Sequence, residues 1–330
     1  MNIRDGARVS TNDAYLEPAR DRFNLDICGD ALVDVVCFEG QRAVGLRVRV
    51  AGAWLDVAGG EVILSAGAVH SPAILQRSGI GPGPVLEAAG IVSRANLPVG
   101  RNLQDHPLAA FVLELRPAAR PIDIDARHGY CFVRYSSGLA GAGLNDMALV
   151  GMNHLLFDGH QMAEGEVWGL LGAWVNQCFS RGAVAITSAD PDQHPAIDER
   201  MLDDERDLVR LRDGVRRLLA LAEHPAVRRA ASEVRIRLGG PPAAEVLVGD
   251  DTIDAWLMAE VGDAQHICGT CRMGPVTDAR SVVDATCRVI GFDGLRVVDA
   301  GIMPDVPRAN THVSVVMLAE RAADLLRVSV

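Results

Sequence analysis

Glu61-Val62-Ile63-Leu64-Ser65-Ala66-Gly67-Ala68-Val69-His70-Ser71-Pro72-Ala73-Ile74-Leu75-Gln76 is the stretch that decides the fold. Its first five residues form a short apolar run, of strand rather than helix length. Ala66-Gly67-Ala68 turns the chain with small residues. Ser71-Pro72 then opens a helix through Gln76, with Pro72 in the first turn, where a missing N–H costs nothing. A strand, a small-residue turn and a helix make the corner of an α/β sheet at which cofactors collect.

On the N-terminal side, Leu32 to Phe38, Val44 to Val50 and Ala53 to Val57 read as strands, with Glu39-Gly40 and Ala51-Gly52 as turns. On the C-terminal side the pattern changes. Phe111 to Leu115, Gly129 to Tyr135, Asp146 to Val150 and Gly182 to Thr187 read as strands, and the apolar run Val167 to Phe179 fits more than one strand type. A helix from about Asp203 to Ala222 carries Leu208, Leu211, Val215, Leu218 and Ala222 at helical spacing, with arginines opposite. Strands clustered without crossover helices predict an antiparallel sheet backed by helices, hence a second domain. The last seventy residues return to the first style. Leu295 to Val298 is a buried strand ending at Asp299, and a helix runs from about Thr311 to Leu326.

The 330 residues are 49% hydrophobic and 23% charged, as in an ordinary globular chain. A net charge of −11 with scattered positive residues argues against nucleic acid, and no apolar run approaches the roughly 20 residues of a membrane-spanning helix. The polar opening Met1-Asn2-Ile3-Arg4-Asp5-Gly6 and seven dispersed cysteines predict a reduced, cytoplasmic setting.

Several segments together resemble the glucose–methanol–choline (GMC) oxidoreductases. Gly67 to Gly81 is similar to one signature of that family, and Leu97-Pro98-Val99-Gly100-Arg101-Asn102-Leu103-Gln104-Asp105-His106-Pro107 to the segment that follows it. Ser180-Arg181-Gly182 with Ser188-Ala189-Asp190-Pro191 resembles its substrate domain, and His266 to Gly274 its active-site loop. Val297 to Gly301 and Pro307 to His312 complete six motifs in the expected order. The resemblance implies an α/β fold: an incomplete FAD/NAD(P)-binding, Rossmann-like domain from 1–107 and 262–330, with an inserted α+β substrate domain, 108–261, built on an antiparallel sheet. It implies FAD as cofactor, an alcohol as substrate, and oxidation by hydroxyl proton abstraction and hydride transfer to flavin N5. A hydroxynitrile-lyase-like activity on the same fold is the alternative.

Family members open with a strand, a G-x-G-x-x-G turn and a helix for the FAD diphosphate. The nearest glycine cluster here, Gly79-Ile80-Gly81-Pro82-Gly83-Pro84, has proline where the last glycine belongs. The expectation is therefore that the N-terminal nucleotide-binding segment is missing. The chain would then be a truncated or split-gene fragment that binds FAD weakly alone, or would take the segment from a separate polypeptide.

By resemblance His266 is the base, since an imidazole titrates near the working pH. Asn310, 44 residues on, would orient the substrate oxygen through its amide N–H. Read from residues alone, His266 is a structural or surface histidine and Asn310 the N-cap of the final helix, whose first N–H groups at Thr311 would face a reduced flavin. Asp299 and Ala300 are implied FAD contacts, though Asp299 alone reads as a turn residue; Leu32 is implied near the adenine, though its side chain reads as core. By resemblance His106 orders a loop near the isoalloxazine, with a purely structural role as the alternative, and His312 lies near the pocket. Cys268 and Cys271 form a C-x-x-C pair without a second pair at zinc spacing, so buried thiols are expected and no metal site is assigned.

Overall fold

A computed structural model describes residues 3–121, 129–154 and 168–328. Three strands, β1 (Ala31–Glu39), β2 (Arg42–Val50) and β3 (Ala53–Ala58), make an antiparallel meander. It is followed by the short strand β4 (Val62–Leu64) and helix α1 (Gly67–Arg77). β4 pairs in parallel with β13 (Leu295–Val297), Val62 opposite Leu295 and Leu64 opposite Val297. The strand–turn–helix corner is thus present, and its parallel partner comes from over 230 residues later.

One expectation is corrected here. Helix α1 begins at Gly67, not at Ser71, so Pro72 sits inside it rather than in its first turn. An interior proline removes the N–H that would reach the carbonyl four residues back. That carbonyl is Ala68 O, and it accepts instead from the Thr270 hydroxyl at 2.6 Å. The helix is buried on nearly all sides, with Ser71, Ala73, Leu75 and Gln76 shielded. The buried Gln76 amide donates to Val99 O and Val184 O and accepts from Ile186 N, so α1 is stitched to the segments beside it.

Five antiparallel strands form the second body: β6 (Leu108–Leu115), β7 (Gly129–Tyr135), β8 (Met147–Met152), β9 (Trp168–Val175) and β12 (Ala231–Arg235), in the order β12-β6-β9-β8-β7. The ambiguous apolar run resolves to β9; its first residue, Val167, lies outside the described residues. Side chains alternate between the faces. Ala109, Phe111, Leu113, Met147, Leu171 and Ala173 pack against α2 (Glu205–Glu223) through Leu211, Val215 and Leu218. Ala148, Val150, Leu170 and Trp174 form a separate apolar cluster on the other face. Between the two bodies, β5 (Arg101–Leu103), β10 (Gly182–Ala185) and β11 (Ala196–Asp198) make a small sheet in the order β11-β10-β5.

Helix α2 starts where Asp204 accepts from Arg206 N. On its buried face Arg210 pairs with Asp146 at 3.0 Å and Asp207 at 2.5 Å. Asp207 also accepts from Phe179 N, Ser180 N and the Ser180 hydroxyl, which ties the Ser-Arg-Gly turn to the helix. Helix α3 (Asp250–Glu260) leads into the His266 loop, and α4 (Thr311–Val328) closes the described chain. No helix among the described residues is long and apolar enough to cross a membrane.

Candidate active site

The loop carrying His266 is held to the segment before β6 by two bridges. Leu108 and Gly262 exchange both backbone hydrogen bonds, and so do Gln104 and Cys268. Between the bridges, the buried Asp105 carboxylate accepts from His106 N at 2.5 Å, His266 N at 2.7 Å and Ala264 N at 3.3 Å. One side chain thereby fixes the backbone of both histidines. Gly269 follows at φ +86, and a Cβ there would stand 2.5 Å from Asn102 O, so only glycine fits. Cys268 is buried in the core behind the five-stranded sheet, and Cys271 in the core around β4 and β13. Two residues of loop, Gly269 and Thr270, therefore cross from one core to the other.

His266 and Asn310, 44 residues apart, meet: Nε2 of the ring lies 3.1 Å from Asn310 Nδ2. Asn310 directly precedes α4. An 18-residue helix leaves its first N–H groups without partners inside the helix, so Thr311 opens a positively polarised end beside the pair. On the other side of the ring, His266 Nδ1 lies 3.0 Å from His106 Nδ1, and His106 Nε2 lies 3.0 Å from Pro307 O. Trp174 stacks on His106 with the rings 9° from parallel, and meets His266 edge to face. Phe132, which is exposed, leans on Trp174 at 5.0 Å.

Burial shapes the titration of these groups. It pushes the Asp105 carboxyl up to about 6, against the opposing pull of its backbone N–H bonds. It brings His106 down to about 4, with the charge of His266 adding to the effect and the Pro307 and Asn176 carbonyls opposing it. His266 is lowered too, first by burial, with Asp263 working against it. Both rings are therefore held toward the neutral form, and a neutral imidazole is the form that can take a proton.

Asp105, His106 and His266 also bring three potential ligand atoms within 4.8 Å, the grouping of three that the described residues offer a metal. Their atoms are already engaged: the carboxylate with three backbone N–H groups, the ring nitrogens with one another, Pro307 and Asn310.

Asp299 lies at the carboxyl end of β13 and is buried. Its carboxylate accepts from Gly67 N at 3.0 Å, the Ser71 hydroxyl at 2.5 Å and Gly301 N at 2.7 Å. The side chain thus fixes the start of α1 and the turn that follows β13. Ala300 O accepts from Gly269 N, which sets this strand end back to back with the His266 loop. The end of β13 and the start of α1 thus meet at the corner of the parallel strand pair, the kind of place at which cofactors collect in α/β sheets. Leu32 is set apart from that cluster, in the three-stranded sheet opposite Arg49. His312 lines a different cleft with Tyr15 and Val316. Sequence reasoning missed the role of Asp105 and did not single out Trp174. Asp105 had a signal, since it precedes His106 in the quoted segment; Trp174 had none.

Two models described as GMC oxidoreductase match the chain, one over residues 1–108 and the other over residues 178–319. The first match corrects the expectation of a missing N-terminal region, since it places the family's N-terminal part on residues 1–108. A choline dehydrogenase of Photobacterium profundum is 33% identical over 99% of this chain and 60% of its own length. A 5-(hydroxymethyl)furfural oxidase of Methylovorus is 36% identical over 99% of this chain and 62% of its own. Among solved structures, pyridoxine 4-oxidase from Mesorbium loti superposes with a TM-score of 0.84 at 31% identity, over 98% of this chain and 62% of that one. The chain spans about three fifths of the length of these relatives.

Proposed function

Because the chain belongs to the GMC oxidoreductase family, we propose that it serves the FAD-dependent oxidation of the CH–OH group of a small alcohol. The contact between His266 Nε2 and the Asn310 amide, joined across 44 residues, carries the reading. The substrate hydroxyl would enter between the two groups. It accepts from Asn310 Nδ2–H and gives its proton to His266 Nε2. The forming alkoxide then faces an amide N–H and the positive end of α4, groups aimed before the reaction begins. A bound flavin supplies the acceptor for the carbon-bound hydride. Residues suited to hold it are the backbone at 299–301, the start of α1, and Asn310-Thr311 at the start of α4. Leu32 stays a more distant adenine contact in this reading. Residues 1–107 with 262–330 are assigned to the cofactor and 108–261 to the substrate, whose near wall is Trp174 and the apolar face around it. All seven cysteines are unpaired, which supports a cytoplasmic setting. A separate N-terminal polypeptide has no support beside the match over residues 1–108.

The test is anaerobic flavin reduction, followed by absorbance, with a panel of primary alcohols. The expected result is alcohol-dependent bleaching that His266→Gln slows by about 10²–10⁴-fold, the usual contribution of a general base. Aldehyde release without bleaching, or bleaching at an undiminished rate in the variant, would refute it.

A further inference from the structure

We propose that His106 is a positioning residue that dictates which nitrogen of His266 carries the lone pair. The inference rests on His266 being the base and goes beyond it, because an imidazole with its proton on the wrong nitrogen is no base toward the substrate.

The two ends of the chain of contacts, a carbonyl and an amide nitrogen, have fixed roles. Pro307 O is a carbonyl and can only accept, so His106 Nε2, 3.0 Å away, must carry a hydrogen. A neutral ring has one N–H, and His106 is buried with its ring nitrogens bonded to His266 and Pro307 rather than to a carboxylate, the Asp105 oxygens being taken by backbone N–H groups, so its Nδ1 holds a lone pair. His266 Nδ1, 3.0 Å from that lone pair, must then be the donor. The remaining nitrogen of a neutral His266 is Nε2, which is left with the lone pair. It lies 3.1 Å from the Asn310 amide nitrogen, a group that can only donate. The three contacts at Pro307, between the two rings and at Asn310 are all satisfied by this one assignment. Reversing His266 would set two N–H groups against each other at Asn310 and two lone pairs against each other at His106.

The same line of bonds fixes the orientation of the ring. Trp174 stacks against His106 on its flat side, and Asp105 holds the backbone N–H of both histidines, so neither ring is free to turn. When the hydroxyl proton reaches Nε2, no proton moves at Nδ1. The His266 cation keeps its Nδ1–H on the lone pair of a neutral neighbour, which favours the charged form at the moment it arises.

The experiment is imidazole nitrogen NMR on protein labelled with ¹⁵N-histidine, which separates protonated from lone-pair nitrogens without turnover or cofactor. The expected spectrum shows His266 protonated at Nδ1 and bare at Nε2, and His106 protonated at Nε2 and bare at Nδ1. His266 protonated at Nε2, or an even mixture of the two forms, overturns the proposal. Two variants add a rate. His106→Phe keeps a flat ring against Trp174 but offers no acceptor, whereas His106→Asn can place an amide oxygen near the former Nδ1. The phenylalanine variant is expected to lose about tenfold to a hundredfold in the rate of flavin reduction, as removal of an orienting partner typically does. The asparagine variant should recover most of that loss. Equal losses in both would reduce His106 to packing and overturn the proposal. A His266→Gln rate equal to wild type, with the NMR pattern intact, would fell the base assignment instead, so the two failures are told apart.

Discussion

Replacing Asn310 by aspartate converts a donor facing the base into an anion facing it, with almost no change in shape. The size of the effect follows from the 3.1 Å between the amide nitrogen and His266 Nε2. Two unit charges at that distance attract by about 1 kcal/mol in bulk-like dielectric and by about 5 kcal/mol at an effective dielectric near 20. Asn310 is exposed and His266 half-buried, so the real figure lies between, equivalent to about one to three pKa units upward for His266. In the wild type, burial holds His266 below its ordinary value, which favours the neutral ring of the proposed base. In Asn310→Asp a larger fraction of it would be protonated at the same pH. The acid limb of the rate of flavin reduction should move to higher pH by the same interval, and the plateau rate should fall because the hydroxyl loses its donor. The direct assay is an NMR titration of the His266 ring in both proteins. An unmoved or lowered pKa in the variant would refute the placement of these two side chains. The sign extends to stability. A histidine whose folded pKa lies below the unfolded one contributes stability at high pH that is lost as pH falls. With the aspartate that dependence should reverse.

Arg210→Met should destabilise the protein by about 3–5 kcal/mol, because Asp146 and Asp207 would stay buried with their cation gone. A urea midpoint within experimental error of wild type would contradict that. Gly269→Ala should cost about 1–3 kcal/mol for the left-handed backbone and displace the His266 loop from Asn102 O. The same unfolding assay, read beside the rate of flavin reduction, would show both losses; full activity in this variant would sink the account of the loop.

The legible parts of the sequence were those with local causes. The apolar, turn-bounded runs of β1, β2, β3 and β6 and the apolar stripe of α2 are set by neighbours a few residues away. β9 was ambiguous because its two faces are buried in different clusters, which erases alternation. β12, Ala-Ser-Glu-Val-Arg, carries no apolar pattern and is a strand because it borders β6. Pro72 was misplaced because its compensating partner, Thr270, is some two hundred residues distant. The site shows the same division. His266 and Asn310 were found through the motifs that contain them. The contact between His106 and His266 joins positions 160 residues apart, and nothing local marks it.

An α-helix ordinarily satisfies its own interior, and α1 does not. Pro72 leaves Ala68 O open, and the hydroxyl that meets it belongs to the loop of the base. The helix therefore has a socket for that loop which exists only while the helix is wound. Fraying of α1 would unseat Thr270, and with it the anchorage of His266 four residues before. Local melting of α1 would therefore loosen one of the anchors of the loop that carries the proposed base.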